Sequence, residues 1–390
     1  MSTRNPESAT LVQLARHMGA GEMTRTEFLQ RAVALGLSMS AAGAILAACG
    51  ESGEAPSASG SPTALDTALP KELLLYNWSD YMAPELKKSF EREYGIKVVE
   101  SYYDGNEMLL SKLSAGATGY DLCVPDNITV HIMLKSGLIQ PLDMSLIPNF
   151  ANVMPQFKKP NYDPEEDGKK YSIPFQWGTT GIGLRKDLMP ETTASWNVLF
   201  DPKNKGRLTM LDDPREVFGV ALKIDGNSLN STDEGQVDAA RDKLIAQKPL
   251  VRAYDSVNTK RNLISGLPMC HAWNGYVLQA YDVLGPEKLE YVLPEEGFAI
   301  WCDNIVIPVG APSPYAAHLF MNYLYEPANA AKLVDYTWFS SPVPAAEPLS
   351  NPIVWEFVPS EETLQRSELL NDVAEFKRYY DDAWMQVKSS

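Results

Sequence analysis

The sequence predicts an α/β protein built on a largely parallel sheet, and three observations carry that expectation. From Leu73 onward, short apolar runs alternate with segments of helical period, which is the pattern of an α/β layer. A chain of 390 residues leaves room for two domains once its leader is set aside. Acid-rich turns follow directly on apolar runs, the place where ligands of open α/β sheets bind, outside the carboxyl ends of the strands.

Leu73–Asn77 reads as the first strand. Pro84 opens a helix with Leu86, Phe90 and Tyr94 on one face, and Gly95 ends it. Ile96–Tyr102 is a second strand. A helix capped near Asn106 turns Leu109, Leu110 and Leu113 inward. Tyr120–Pro125 is a third strand, followed by a helix to Gly137. Leu208–Leu211 is a strand leading to a helix around Val217–Ile224, and a polar helix spans Asp233–Gln247. Cys270–Trp273 and Tyr291–Leu293 read as strands, and Phe298–Pro308 alternates with the strand period. Helices follow at Tyr315–Leu324 and Ala328–Thr337. The last helix, starting at Asn371 or Asp372, places Val373, Phe376, Tyr380, Ala383, Trp384 and Val387 on one stripe. There is no internal repeat.

Residues 1–49 read as a signal peptide. Arg25 and Arg31 precede about 17 small apolar residues, Ala32–Ala48, which suit a signal-peptide core better than a membrane span. Leu46-Ala47-Ala48-Cys49-Gly50 resembles a bacterial lipobox, in which Cys49 takes a diacylglycerol and becomes the mature N-terminus; an ordinary cleavage site with an incidental cysteine is the other reading. Arg25-Thr26-Glu27-Phe28-Leu29 is similar to a twin-arginine signal with Thr26 in the second arginine position, which leaves the export route open. Residues 50–70 are rich in Ser, Ala, Gly and Pro and read as a flexible tether, roughly 25 Å in root-mean-square span. Together these segments imply an extracytoplasmic protein, lipid-anchored to the bacterial cell membrane.

Net charge is −16 for the whole chain; the leader contributes four arginines against three glutamates, so the mature chain carries −17. Nucleic acid is a poor partner for that charge, and cations are plausible ones. Cys123, Cys270 and Cys302 are an odd, widely spaced set in apolar runs. They read as buried thiols, with one disulfide plus one free thiol as the alternative. No Cys/His cluster has metal spacing, and His131, His271 and His318 are isolated. No phosphate loop or nucleophile elbow is present, so neither a cofactor nor catalysis is expected.

Trp78-Ser79-Asp80 and Trp301-Cys302-Asp303 both place a tryptophan two residues before an aspartate. In an extended segment the two side chains share a face, and an aromatic ring beside a carboxylate suits an organic cation. A core tryptophan beside a surface aspartate is the plainer account. On an alternating strand Cys302 would point into the core, whereas the turn after Trp78 could redirect Asp80 and leave Tyr81 beside Trp78. Asp213 and Glu216, three apart at a helix start, could both face the mouth of the preceding strand; helix capping by Asp212 or Asp213 with Glu216 compensating the dipole is the alternative. Trp273-Asn274-Gly275 follows a strand and reads as turn chemistry, with Trp273 stacking on a ligand or packing in the core. Tyr102-Tyr103 and Tyr379-Tyr380 could serve ferric iron, but tyrosines facing opposite ways are ordinary packing.

With these motifs assembled, the chain resembles the polyamine-binding (spermidine/putrescine-type) extracellular solute-binding proteins of ABC importers. YNWSDY (Tyr76–Tyr81), DDPREVFGVAL (Asp212–Leu222), AWNGYVLQA (Ala272–Ala280) and WCDNIVIP (Trp301–Pro308) carry the resemblance, with YDLCVPDN (Tyr120–Asn127) and YSIPFQWGTTGIG (Tyr171–Gly183) in support. It implies a two-lobed, periplasmic-binding-protein-like fold of type II. Each lobe is a mixed, mostly parallel sheet flanked by helices, joined by a hinge of crossing strands, with 71–178 plus 300–345 in one lobe and 179–299 plus 346–390 in the other. It implies a polyamine closed between the lobes, with ABC permease and ATPase subunits as partners. The ligand residues it implies are Trp78, Ser79, Asp80 and Tyr81 on one wall, Asp213 and Glu216 on the other, Trp273 and Trp301 stacking on methylenes, Asp303 on an amine, and Ser256 at a looser polar position.

The chain departs from the family pattern at Asp126 and Ile128, where Ser and an aromatic are usual, at Phe339, where a tyrosine hydroxyl is lost, and at Leu370, often Gln. Asp126 adds an acid, and is counted among the ligand residues. These departures keep a second ligand class open, namely another amine, an opine-like compound or a metal complex. An extracytoplasmic hydrolase is a more distant alternative.

Overall fold

The computed structural model describes residues 67–117, 119–165, 168–189 and 194–390. The lipidation expectation at Cys49 and residues 50–66 of the tether lie outside them. Among the described residues no helix is long and apolar enough to cross a membrane.

The alternation of strand and helix emerges close to the expected positions. β1 (Glu72–Trp78), α1 (Pro84–Tyr94), β2 (Lys97–Tyr103), α2 (Asn106–Ser114), β3 (Leu122–Cys123) and α3 (Asn127–Lys135) lead into β4 (Ser172–Arg185). Then come β5 (Leu208–Met210), α4 (Pro214–Ile224), α5 (Glu234–Gln247), β6 (Val251–Tyr254), α6 (Thr259–Ile264), β7 (Met269–Trp273) and α7 (Asn274–Leu284). β8 (Leu289–Val292), β9 (Phe298–Val306), α8 (Pro314–Leu324), α9 (Pro327–Thr337), α10 (Pro352–Glu356), α11 (Glu361–Leu364), β10 (Ser367–Leu369) and α12 (Lys377–Ser389) complete the chain. In α1 the face of Leu86 and Phe90 is buried, Tyr94 stacks on Phe90 at 4.7 Å, and Gly95 closes the helix in the left-handed region at φ 71°.

The strands form one ten-stranded sheet in the order β2-β1-β3-β9-β4-β7-β5-β6, with β10 on β9 and β8 on β4. β1 pairs in parallel with β2 and β3, and β5 in parallel with β6 and β7. Between these two parallel sets lie β4 and β9. The first half of β4, from Ser172 to Thr179, runs antiparallel to β9, and Thr180–Leu184 runs antiparallel to β7. The two largest apolar cores among the described residues lie one on each side of these crossing strands. Leu86, Phe90, Trp177, Cys302 and Phe320 belong to one; Ile182, Trp196, Phe218, Leu244 and Trp384 belong to the other. The molecule is therefore two-lobed, each lobe a mixed sheet flanked by helices, with β4 and β9 crossing between them.

Local expectations fail in four places. Gly105, not Asn106, caps α2, and no side chain bonds that helix end. The third strand is trimmed to two residues, although Asp121 N and Val124 N still bond carbonyls of β1. Asn274 begins α7 directly, so Trp273 sits at a helix start and not at a turn. The last helix begins only at Lys377, because Ala374 takes φ 49° in a preceding 3₁₀ turn, Ala374–Phe376. Cys123, Cys270 and Cys302 are all free and buried, so the disulfide alternative falls away.

Candidate ligand-binding site

β9 carries Trp301 and Asp303 on one face, and the residue between them, Cys302, is fully buried in the first core. The strand period thus turns Asp303 and the half-buried Trp301, which packs on the edge of that core, to the face opposite Cys302. Opposite Trp301 on β4 stands Gly178. A Cβ there would come within 2.3 Å of both the Trp301 ring and Asn274 Oδ1. Glycine at 178 is what lets the indole pack this closely against β4.

The other Trp-x-Asp pair behaves differently. Trp78 is the last residue of β1; its Nε1–H donates to Val124 O at 2.9 Å, and its ring packs on Tyr103 at 4.6 Å. The chain then turns through Asp80 at φ 55°, leaving Ser79 and Asp80 exposed. The shared face expected for Trp78 and Asp80 is not formed, because the strand ends between them. Tyr81 turns inward instead, and its hydroxyl donates to Asp303 Oδ2 at 2.6 Å.

Asp126 caps α3, accepting from Thr129 N at 2.7 Å, and forms an isolated antiparallel bridge with Asp303. Residues paired this way project from the same face with Cβ atoms about 4.5–5.5 Å apart. From the second lobe, Asp213 caps α4 by accepting from Arg215 N (2.8 Å) and Glu216 N (3.1 Å). Glu216 Oε1 accepts from Thr180 Oγ1 and from Trp273 Nε1, each at 2.9 Å. Asp213 is thus a cap, while its neighbour Glu216 is held by side chains of two strands.

A ring of contacts links these residues. Tyr81 meets Asp303, Asp303 faces Asp126, and the charge of Asp213 is felt at both Asp126 and Glu216. Glu216 holds Trp273, Trp273 leans on Tyr276 at 6.3 Å, and Tyr276 meets Phe339 edge-on at 5.6 Å. Phe339 closes the circuit against Trp301 at 5.0 Å and Tyr81 at 5.8 Å. Asp80 lies outside this ring, yet its charge reaches Tyr102, Tyr276 and Tyr336. Ser256 is also outside: its hydroxyl accepts from Asp212 N at 2.9 Å, and Asp212 pairs with Lys388 at 3.0 Å.

The electrostatics are one-sided. Burial pushes Asp303 up to about 8, with the facing Asp126 adding to the shift and the Tyr81 hydroxyl opposing it. Burial raises Glu216 to about 7, and Asp213 adds to that. Burial raises Asp126 to about 6 against the bond from Thr129, and it raises Asp213 as well. Among the described residues, no lysine or arginine nitrogen comes within 4.0 Å of any of the four carboxyls; ion pairs form elsewhere, as at Lys87–Glu100 and Lys223–Glu368. The terminal nitrogens of Arg215 are taken up by Leu229 O, Asn230 Oδ1 and Asn371 O, and its charge only partly offsets the upward shifts of Asp213 and Glu216. Buried like charges without counter-ions are costly, and a cation entering among them removes that cost.

The sequence did not single out Gly178, Thr180 or Tyr276 for the site. Tyr276 stands three residues after Trp273, one helical turn on, and would have followed had the start of α7 been read correctly. Thr180 is legible only through the pairing of β4 with β7. The departures at Ile128 and Leu370 meet in a small apolar patch with Leu229 and Ala299. Among the described residues, no group of three or more His, Cys, Asp and Glu is placed to hold a metal ion.

A family model described as bacterial extracellular solute-binding protein matches residues 85–356. The chain is 35% identical over 323 residues to the spermidine/putrescine-binding periplasmic protein of Salmonella typhimurium, covering 81% of this chain and 91% of that one. A solved structure titled as a putative spermidine/putrescine ABC transporter from Listeria monocytogenes superposes with a TM-score of 0.76 at 34% identity, over 82% of this chain and 99% of that one. A lipoprotein of Treponema pallidum superposes with a TM-score of 0.74 at 30% identity, over 81% and 99%. With its two lobes, crossing strands and acid-lined aromatic site, the chain belongs to the bacterial extracellular solute-binding protein family.

Proposed function

We propose that this protein captures a linear polyamine of the spermidine/putrescine type between its lobes and delivers it to the permease of an ABC importer. The observation that carries the reading is the set of four carboxyls, Glu216 buried and Asp126, Asp213 and Asp303 half-buried, that desolvation holds above their ordinary pKa with no lysine or arginine nitrogen within 4.0 Å among the described residues. A polyamine supplies ammoniums for the acids and methylenes for flat apolar walls. Trp78, Tyr81, Trp273 and Trp301 provide those walls, Asp303 is the main ammonium anchor, and Asp80 with Ser79 acts at the rim. Ser256 acts only through the loop that carries Asp212. Lobes 71–178 plus 300–345 and 179–299 plus 346–390 close on the ligand by hinge motion.

Micromolar binding needs only about 8 kcal/mol. A few cation–π contacts of roughly 0.5–2 kcal/mol and charge-assisted hydrogen bonds of about 1.5–3 kcal/mol each supply that after ordering costs. The protein makes no bonds in its ligand, in keeping with a family of solute-binding proteins. A lipid on Cys49 and the tether behind it hold the body at the outer face of the cell membrane. Native mass spectrometry of the purified protein tests the reading. A co-purifying polyamine, displaced by added spermidine, is expected; a bound carboxylate compound or metal complex would contradict it.

A further inference from the structure

Beside Glu216 lies a cavity of about 10 Å³ lined by Thr180, Arg215, Glu216, His271, Phe298 and others. One water needs about 10–15 Å³ and two to four polar partners. His271 is 1% exposed on β7, and its Nδ1 accepts from Leu211 N at 3.5 Å. The ring proton therefore sits on Nε2, which is buried with no partner. Burial holds the ring neutral, far below the usual histidine range, at about 3. Arg215 Nε is likewise buried with no partner, although the two terminal nitrogens of that guanidinium are engaged. Both bonds to Glu216 fall on Oε1. The residues that carry these two orphaned N–H donors and the carboxylate thus line the same water-sized space.

We infer that this cavity binds one water, which accepts from His271 Nε2–H and Arg215 Nε–H and donates to Glu216, and that His271 thereby acts as a positioning residue for Glu216. The inference deepens the polyamine reading, since it concerns how one acid of that site is kept ionised. Two donors, one on a neutral imidazole and one on a guanidinium, relayed through water favour the carboxylate over the acid without a direct ion pair. The groups facing Glu216 are Asp213 and Arg215 from α4, Trp273 and His271 from β7, Thr180 from β4 and Tyr291 from β8. Lys223, also on the cavity wall, is bonded to Glu368 on β10. Of these, His271 and Arg215 alone hold orphaned donors toward the cavity.

The test uses the mature protein and two variants. A high-resolution crystal structure of the wild type should show one ordered water within hydrogen-bonding distance of His271 Nε2, Arg215 Nε and Glu216; a dry cavity overturns the inference. Carbon-detected NMR of the ligand-free protein reads the Glu216 titration directly. In His271→Leu the midpoint should rise by about one unit, while His271→Gln, which restores an amide donor, should return it toward the wild type. A folded His271→Leu with an unmoved midpoint sinks the idea, and if that variant does not fold, the crystal structure and His271→Gln decide. One unit would leave roughly a fifth as much ionised Glu216 at pH 7, so spermidine affinity should fall about fivefold there and converge with the wild type by pH 9. The titration is read without ligand, so an absence of polyamine binding would refute the polyamine reading and leave this result standing.

Discussion

At Asp303 three influences meet: burial and the facing Asp126 raise its proton affinity, and the Tyr81 hydroxyl lowers it. Removing its charge while keeping its shape isolates the ammonium contact. Truncating one partner of a buried charge pair costs about 2–5 kcal/mol, so Asp303→Asn should weaken polyamine binding roughly thirtyfold or more, as read by calorimetry; an unchanged constant would remove Asp303 from the site. The acids also fix a pH dependence. Asp126, Glu216 and Asp303 have folded-state values near 6, 7 and 8, above their unfolded values near 4. Between those limits the folded state holds more protons than the unfolded chain, so stability falls as pH rises. The ligand-free protein should therefore lose thermal stability from pH 5 to pH 9. Polyamine binding should expel protons and tighten over the same range, which calorimetry in buffers of different ionisation enthalpy detects. Proton uptake on binding would contradict the assignment.

Among the elements, β4 and β9 do most to place the site, and they were unequally legible. β9 announced itself through its alternation, because one face meets the core and the other the site. β4 carries no periodic signal, because all fourteen of its positions are buried. Its role emerges only from pairing, where Gly178 lies under Trp301 and Thr180 reaches Glu216. The start of α7 was misread for a related reason, since Asn274-Gly275 is ordinary turn sequence. Here Gly275 is required because a Cβ would lie 2.4 Å from the Phe339 ring. Gly178→Ala should push Trp301 off the crossing strands. Overpacking of this kind costs about 1–3 kcal/mol of stability, and tryptophan fluorescence should shift together with at least a tenfold loss of affinity. A variant that binds as the wild type does would show that the indole needs no such floor.

For the whole molecule, the two lobes, the family and the acidic, aromatic character of the site were all legible, because they rest on motifs quoted intact from separate stretches of sequence. The mutual positions of the four acids were not, since Asp126 and Asp303 are 177 residues apart in sequence and meet only through an isolated bridge. A chain of net charge −16 should attract polycations from a distance, so association rates should fall steeply with added salt while the dissociation rate changes little. Hinge closure predicts a smaller radius of gyration in solution scattering when ligand is present. Whether this cation-poor cluster of buried and half-buried acids takes a polyamine is tested most directly by calorimetric titration of the protein with spermidine, putrescine, spermine and agmatine. Saturable binding of at least one of them with release of protons is expected, and no heat of binding from any at about 100 µM would rule out a polyamine site.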